Sequence, residues 1–430
     1  MRLSNCSNCS SLPPVGQLPA LKELYVEGMK SVVSVGVELY GGNQTFQSLE
    51  KLEFSSMPEW EEWLPSPSGG EIPDFPRLKE LKLSKCPKLR GNLPTHLPSL
   101  KTLYVCYCKV LQETRASNTL NTEPLRGSLE ELTLIDCPGL SLLLESTETL
   151  LSLQMLYIIS VDIKWLPQML PNSNRLQSLT LWGCSSLLSF PTNGLPTTLT
   201  SLRIQNCKKL EFLSREMMAK LTSLQSLYLF NSCDSLRSFP LGIFPNLSSL
   251  EIQDCQNLES LSVEGGADEN LSHLNSLDIR YCPNLVSFPD GGLPTPNLTS
   301  LKVMRCENLK LLPDRMHTLT ALQDFWIYGL PNVDEKKSGA SPLSKYVATL
   351  REIAQQRNAS LSESRIMFDV PFSNMLIASS VLVGEHSSVF GSKGRESDET
   401  DDTRDNEGIA AFSLSWLPGK DSKAEPPKDV

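Results

Sequence analysis

A chain of 430 residues with 40% hydrophobic composition can bury a large core, and length alone suggests about two or three domains. Its formal net charge of -10 makes it a poor partner for nucleic acid or anionic membrane, which need clustered Lys and Arg. The opening Met1-Arg2-Leu3-Ser4-Asn5-Cys6 lacks the apolar stretch of a signal peptide, and the run Met375 to Gly384 is too short and Ser-broken to span a bilayer.

Taken in chain order, the sequence repeats a unit of the form L-x-x-L-x-x-L-x-L-x-x-C-x-x-L-x-x-L/F-P. Weak copies centred on Leu24 and Leu52 come first, interrupted by Gly/Ser/Pro-rich insertions over 31–45 and 65–74 that read as exposed loops. A clear copy follows at Phe75-Leu78-Leu81-Leu83-Cys86-Leu89, then weaker ones at Leu103, Leu132 and Leu156. Leu176-Leu179-Leu181-Cys184-Leu187-Phe190-Pro191 and Leu199-Leu202-Ile204-Cys207-Leu210-Leu213 are clear, and Leu227 is weak. The last clear copies begin at Leu247, Leu274 and Leu298, and a weak one centres on Phe325. The array amounts to about thirteen units of roughly 22–29 residues, a leucine-rich-repeat period. After Val333 the period stops. Residues 334–430 are polar, with an acidic run Glu396 to Asp402, and read as a largely disordered tail with a short helix near Ser344 to Gln356.

The physics of one unit sets the fold. Leu-x-Leu alternates with period two, so it is a short strand with one buried face. Strands of successive units stack in parallel, about 4.8 Å apart. The later L-x-x-L, followed by Pro, suits irregular or 3₁₀ turns better than long helices. No unit buries its leucines alone, so neighbours supply the core. Residues 1–333 are therefore expected to form an α/β solenoid: a leucine-rich-repeat horseshoe with a parallel concave sheet and a mostly irregular convex side.

The cysteines fall into this frame. Cys86, Cys108, Cys137, Cys184, Cys207, Cys255, Cys282 and Cys306 share one position just after the strand, as small, buried, weakly polar residues. Cys233 comes one residue late, after Ser232, which implies a local bulge. A ladder of stacked free thiols fits a reducing compartment, the cytoplasm or nucleus.

The residues between and beside the strand leucines face the concave side and are free of core duty. There Tyr104, Tyr107, Ile135, Tyr157, Ile159, Trp182, Tyr228 and Phe230 read as a near-continuous apolar stripe, with Arg280, Trp326 and Tyr328 further along. Lys82 and Lys85 would rim it on one side, and Glu251, Asp254, Asp278 and Arg280 on the other. Exposed aromatic patches rimmed by charge mark protein-binding surfaces, although Ile and aromatics also simply suit strands. Chemistry is not expected. The histidines His96, His273, His317 and His386 join no nucleophile motif, Cys6-x-x-Cys9 has no second pair at zinc spacing, and no P-loop occurs. The chain reads as a binding surface without catalytic, metal or cofactor residues.

Some segments are more specific than a generic repeat. Asn5-Cys6-Ser7-Asn8-Cys9 followed by Leu12-Pro13-Pro14-Val15-Gly16-Gln17-Leu18-Pro19 resembles a signature of plant disease-resistance proteins of the coiled-coil, nucleotide-binding, leucine-rich-repeat class. Val35-Gly36-Val37-Glu38-Leu39-Tyr40-Gly41, Trp60-Glu61-Glu62-Trp63 and Cys86-Pro87-Lys88-Leu89-Arg90-Gly91-Asn92-Leu93-Pro94 resemble it too. The resemblance covers residues 1 to 333. It implies an intracellular immune receptor whose repeats recognise a pathogen effector or a guarded host protein and hold a nucleotide-binding switch inactive. ADP or ATP would sit on that nucleotide-binding domain, which is missing here together with the coiled coil. The expectation is thus an N-terminally truncated repeat portion: a fragment of a receptor, or a product that cannot signal alone. An F-box-type repeat adaptor would need an F-box and longer helices after each Cys. A secreted repeat receptor would need a signal peptide and more than the one Leu89-Arg90-Gly91-Asn92-Leu93-Pro94 motif.

Overall fold

Each repeat supplies one strand because its alternating apolar pair has one side to bury. The computed structural model describes residues 1–41, 46–66, 73–91, 93–94, 97–111, 128–140, 151–263, 271–331 and the strand 365–368. The strands are β1 (Arg2–Ser4), β2 (Glu23–Glu27), β3 (Ser34–Val35), β4 (Lys51–Ser55), β5 (Glu62–Trp63), β6 (Glu80–Ser84), β7 (Thr102–Cys106), β8 (Glu131–Ile135), β9 (Met155–Ile159) and β10 (Ser178–Trp182). They continue with β11 (Ser201–Gln205), β12 (Ser226–Phe230), β13 (Ser238–Leu241), β14 (Ser249–Gln253), β15 (Ser260–Val263), β16 (Ser276–Arg280), β17 (Ser300–Met304), β18 (Asp324–Tyr328) and β19 (Arg365–Phe368).

One 15-stranded parallel sheet runs β1-β2-β4-β6-β7-β8-β9-β10-β11-β12-β14-β16-β17-β18-β19. The register never slips. Leu156, Leu179, Leu202, Leu227, Leu250, Leu277 and Leu301 are successive Cα partners, and so are Ile158, Leu181, Ile204, Leu229, Ile252, Ile279 and Val303. Both columns are buried. A one-residue slip would turn them all outward, so burial itself fixes the register.

After each strand of the large sheet from β2 to β18 the chain turns through one left-handed residue. Ser56, Lys85, Tyr107, Asp136, Ser160, Asn206, Asn231, Asp254, Tyr281 and Arg305 all have φ between 47° and 55°, and Gly28, Gly183 and Gly329 take the same place at 64° to 68°. The N–H of this bend residue donates to the last strand carbonyl of the next repeat, as from Asn206 to Phe230 at 2.9 Å and from Arg305 to Tyr328 at 2.7 Å. The ladder cysteine follows. Its thiol donates to the carbonyl two residues back, at 3.1 Å for Cys137, 3.2 Å for Cys207 and 3.4 Å for Cys282. A strand-end carbonyl such as that of Gln205 therefore fills both lone pairs, one with the N–H of Gly183 and one with the Cys207 thiol. All eight ladder cysteines are buried, and all twelve cysteines are unpaired. The expected bulge is present: Ser232 takes the ladder place, and Cys233 turns left-handed at φ 56° while staying buried.

The convex side is mostly turns. The Leu of each Cys-x-x-Leu closes a turn onto the Cys carbonyl, at 3.2 Å for Leu187 and Leu309. Short 3₁₀ turns occur at Val15–Gln17, Leu170–Asn172 and Met316–Thr318. A helix, Arg215–Lys220, is capped by the Ser214 side chain. Two small parallel pairs, β3 with β5 and β13 with β15, add to it.

The insertion at 31–45 corrects an expectation. Its described part, 31–41, is not an exposed loop, since Val32, Val35, Leu39 and Tyr40 are fully buried, while 42–45 lie outside the described residues. Tyr40, Phe46, Phe54, Trp60, Trp63 and Phe75 form one aromatic cluster, with neighbouring centroids such as Phe54 and Trp60 4.8 Å apart. The Leu-Pro-Pro-Val-Gly-Gln segment seats on it. A side chain at Gly16 would meet the Tyr40 carbonyl at 2.4 Å, and Gln17 donates to the Gly41 carbonyl at 2.6 Å. Of the second insertion, Ser66 is buried and its N–H donates to Asp74 at 3.2 Å, while 67–72 lie outside the described residues. The tail helix, the acidic run and the apolar stretch 375–384 also lie outside them. From the tail the structure contributes β19, which pairs in parallel with β18 and extends the sheet beyond residue 333.

Candidate functional site

The sheet has one face on the core and one face open. The third and fifth residue of each strand point to the open face, and the bend residue stands at its border. Along the third position the structure aligns Tyr104, Thr133, Tyr157, Thr180, Arg203, Tyr228, Glu251, Asp278, Lys302 and Trp326 as Cα partners in turn. The fifth position aligns Cys106, Ile135, Ile159, Trp182, Gln205, Phe230, Gln253, Arg280, Met304 and Tyr328 beside it.

Most of the sequence-predicted residues stand on this face, half-buried: Tyr104, Tyr157, Ile159, Trp182, Tyr228, Phe230, Arg280 and Trp326. Tyr107 is 45% exposed at its bend, and Tyr328 is 37% exposed. Ile135 departs from the expectation. It is 9% exposed, because its register partners Cys106 and Ile159 stand on either side of it. Thr133 is buried as well, so the face dips at β8 between Tyr104 and Tyr157. The stripe is also divided. Arg203 and Gln205 on β11 separate Trp182 from Tyr228, and the Arg203 guanidinium lies 4.2 Å from the Tyr228 ring centroid.

Beyond β12 the face turns to charge. Arg280 donates to both carboxylate oxygens of Asp278, with Nε at 2.6 Å from Oδ1. Asp278 is only 6% exposed and has Lys302 Nζ at 4.0 Å as a second cation. That hydrogen bond raises the Arg280 pKa, while burial and then Asp278 raise that of Glu251. Lys302 also lies 5.5 Å from the Trp326 ring. Burial, then a hydrogen bond with Cys106, pushes the Tyr104 hydroxyl up; burial, then Glu251, does the same for Tyr228. These phenols stay protonated and offer O–H donors at neutral pH.

Sequence reasoning passed over two residues here, Tyr281 and Arg305. They occupy the bend position of Tyr107, and the signal was the same: a large side chain where small or amide residues recur. The Arg305 guanidinium lies 5.7 Å from the Tyr281 ring and 5.5 Å from the Tyr328 ring. On the other border, Lys82 is held by Glu80 at 2.6 Å.

Most of the ladder thiols are poor nucleophiles. Burial pushes Cys137 up to about 12 and Cys255 and Cys306 up to about 11. The hydrogen bond to Cys86, then burial, raises Cys108, and the bond to Cys207, then burial, raises Cys184. A thiol kept protonated and out of solvent packs rather than reacts. Among the described residues no helix is long and apolar enough to cross a membrane.

The chain is 34% identical over 226 residues to an RPP13-like disease resistance protein of Arabidopsis thaliana, a match covering 49% of this chain and 20% of that protein. It is 41% identical over 113 residues to a second disease resistance protein of that plant, covering 25% of this chain and 8% of that one. It thus spans a fifth or less of the length of these relatives. Among solved structures, the leucine-rich repeat domain of the type III effector XopL shares 28% identity, covering 47% of this chain and 67% of that one, with a TM-score of 0.37. No family model matches. The parallel sheet, the repeated bend and these relatives agree with the motifs: the chain is a leucine-rich-repeat solenoid related to the leucine-rich-repeat regions of plant disease resistance proteins.

Proposed function

We propose that this chain is the recognition module of a plant immune receptor, and that its open sheet face binds a protein, either a pathogen effector or a host protein that an effector modifies. One observation carries the reading. Tyr104, Tyr157, Trp182, Tyr228 and Phe230 stand partly exposed on a sheet whose core is already filled by the leucine columns. Large aromatics with no core duty, surrounded by charge, are what protein-binding hot spots are made of. The named relatives support the defence context. The role is binding rather than catalysis. In a receptor that includes a nucleotide-binding domain, ADP or ATP is held there, and the same repeats contact that domain and restrain it until a partner binds. The protein acts inside the cell, where its thiols stay reduced.

The test uses a partner purified from plant tissue on the tagged chain, then titrated against wild type, Trp182→Ala and Phe230→Ala. Each substitution is expected to weaken binding roughly 30-fold, the size of a hot-spot loss of about 2 kcal/mol, while the melting temperature stays near that of wild type. Unchanged affinity in both variants sinks the reading.

A further inference from the structure

The left-handed bend after each strand is demanded by the fold, and most repeats fill it with residues that tolerate it. Gly28, Gly183 and Gly329 do so freely, and Asp136, Asn206, Asn231 and Asp254 tolerate it through short polar side chains. Tyr281 at φ 54° and Arg305 at φ 52° do not belong to that set. Two consecutive repeats therefore keep a large side chain where the backbone favours Gly or Asn, as Lys85 and Tyr107 do in two earlier consecutive repeats. Strain kept at a surface position points to a use for the side chain.

The geometry shows what the side chains build. Arg305 is exposed, and its guanidinium lies between the rings of Tyr281 and Tyr328, themselves 45% and 37% exposed. Two rings with centroids at 5.7 and 5.5 Å hold the guanidinium by cation–π contact. Among the described residues no carboxylate pairs with Arg305. On β16 to β18 and the bends after them, the cations Arg280, Lys302 and Arg305 stand with two carboxylates, Asp278, which Arg280 already engages on both oxygens, and Asp324.

We propose that Tyr281, Arg305 and Tyr328 form an anion clamp that takes a carboxylate from an acidic segment of the protein partner. A planar guanidinium matches a carboxylate bidentately, and the flanking rings position it for that contact. The proposal rests on the binding role of the open face and names the chemistry recognised at its border.

The bend makes the test decisive, because the substitution that removes the clamp also relieves the backbone. The intact chain is titrated with a fluorescent peptide of alternating Leu and Glu, and with its Leu-Gln counterpart. Wild type is expected to bind the Glu peptide about tenfold more tightly than the Gln peptide, the preference shrinking as salt rises. Arg305→Asn and Tyr281→Asn should each abolish that preference without lowering the melting temperature, and Arg305→Lys should restore it only in part. Equal affinity for the two peptides in wild type, or a preference surviving in Arg305→Asn, overturns the clamp. If Trp182→Ala abolishes peptide binding while Arg305→Asn leaves it intact, the open face binds and the clamp does not.

Discussion

Ser232 shows how little chemistry the ladder position needs. Its hydroxyl donates to the Phe230 carbonyl at 2.7 Å and accepts the Cys207 N–H at 3.0 Å, joining two repeats in one buried place. Ser232→Ala leaves that N–H unsatisfied, which costs about 1–3 kcal/mol. Urea unfolding should show the loss as a lower midpoint with an unchanged slope, and an unchanged midpoint would mean that the bond does not stabilise. Glu251 gives a test of opposite sign. Burial, then Asp278, raises its pKa, so the folded state binds this proton more tightly than the unfolded state. Stability therefore falls as pH rises through the raised carboxyl range, and the penalty is fully present at neutral pH. Glu251→Gln should melt higher than wild type at pH 7, with the difference closing as both approach about pH 4. A variant that melts lower at neutral pH contradicts this. At this scale the sequence disclosed the cysteines, because one residue type recurs at one spacing. It did not disclose the left-handed column, where Gly, Ser, Lys, Tyr, Asp, Asn and Arg all occur. Nor did it disclose that Ile135 is buried, which depends on the side chains of two neighbouring strands.

Strands were the most legible elements, since Leu-x-Leu fixes both the period and the buried side. The short pairs were not. β3 and β5 have two residues each, too few for a pattern, and their residues read only as parts of family motifs. The structure gives those motifs a physical job. Trp60 donates from Nε1 to the Glu62 carbonyl at 2.8 Å, Phe54 and Trp63 pack against it, and the Val-Gly-Val-Glu-Leu-Tyr insertion brings Leu39 and Tyr40 into the same buried region. Gly- and Ser-rich flanks made 31–45 look like a loop, yet its apolar residues have an aromatic cluster to join. β19 was hidden for a different reason: four residues in a polar tail become a strand only because the edge of β18 offers unpaired backbone.

At the scale of the molecule, every unit touches only its neighbours, so stability is close to a sum of repeat and interface contributions. The cysteine ladder reports on this directly, with one buried thiol in most repeats and two exposed thiols, Cys6 and Cys9. In the native chain a thiol reagent should modify Cys6 and Cys9 at once, and the ladder cysteines only as their repeats open. Leu179 lies fully buried on β10, between Leu156 and Leu202. Leu179→Ala removes its packing and leaves a cavity, costing about 2–5 kcal/mol. If coupling runs through neighbours, the cost falls on the repeats beside β10. Cys184 and Cys207 should then gain reactivity well before Cys282 or Cys306, as peptide mass spectrometry of timed labelling would show. Uniform acceleration of every ladder thiol would mean instead that the array opens as one cooperative body. A partner bound on the open face would in that case stabilise all repeats together, rather than only those it touches.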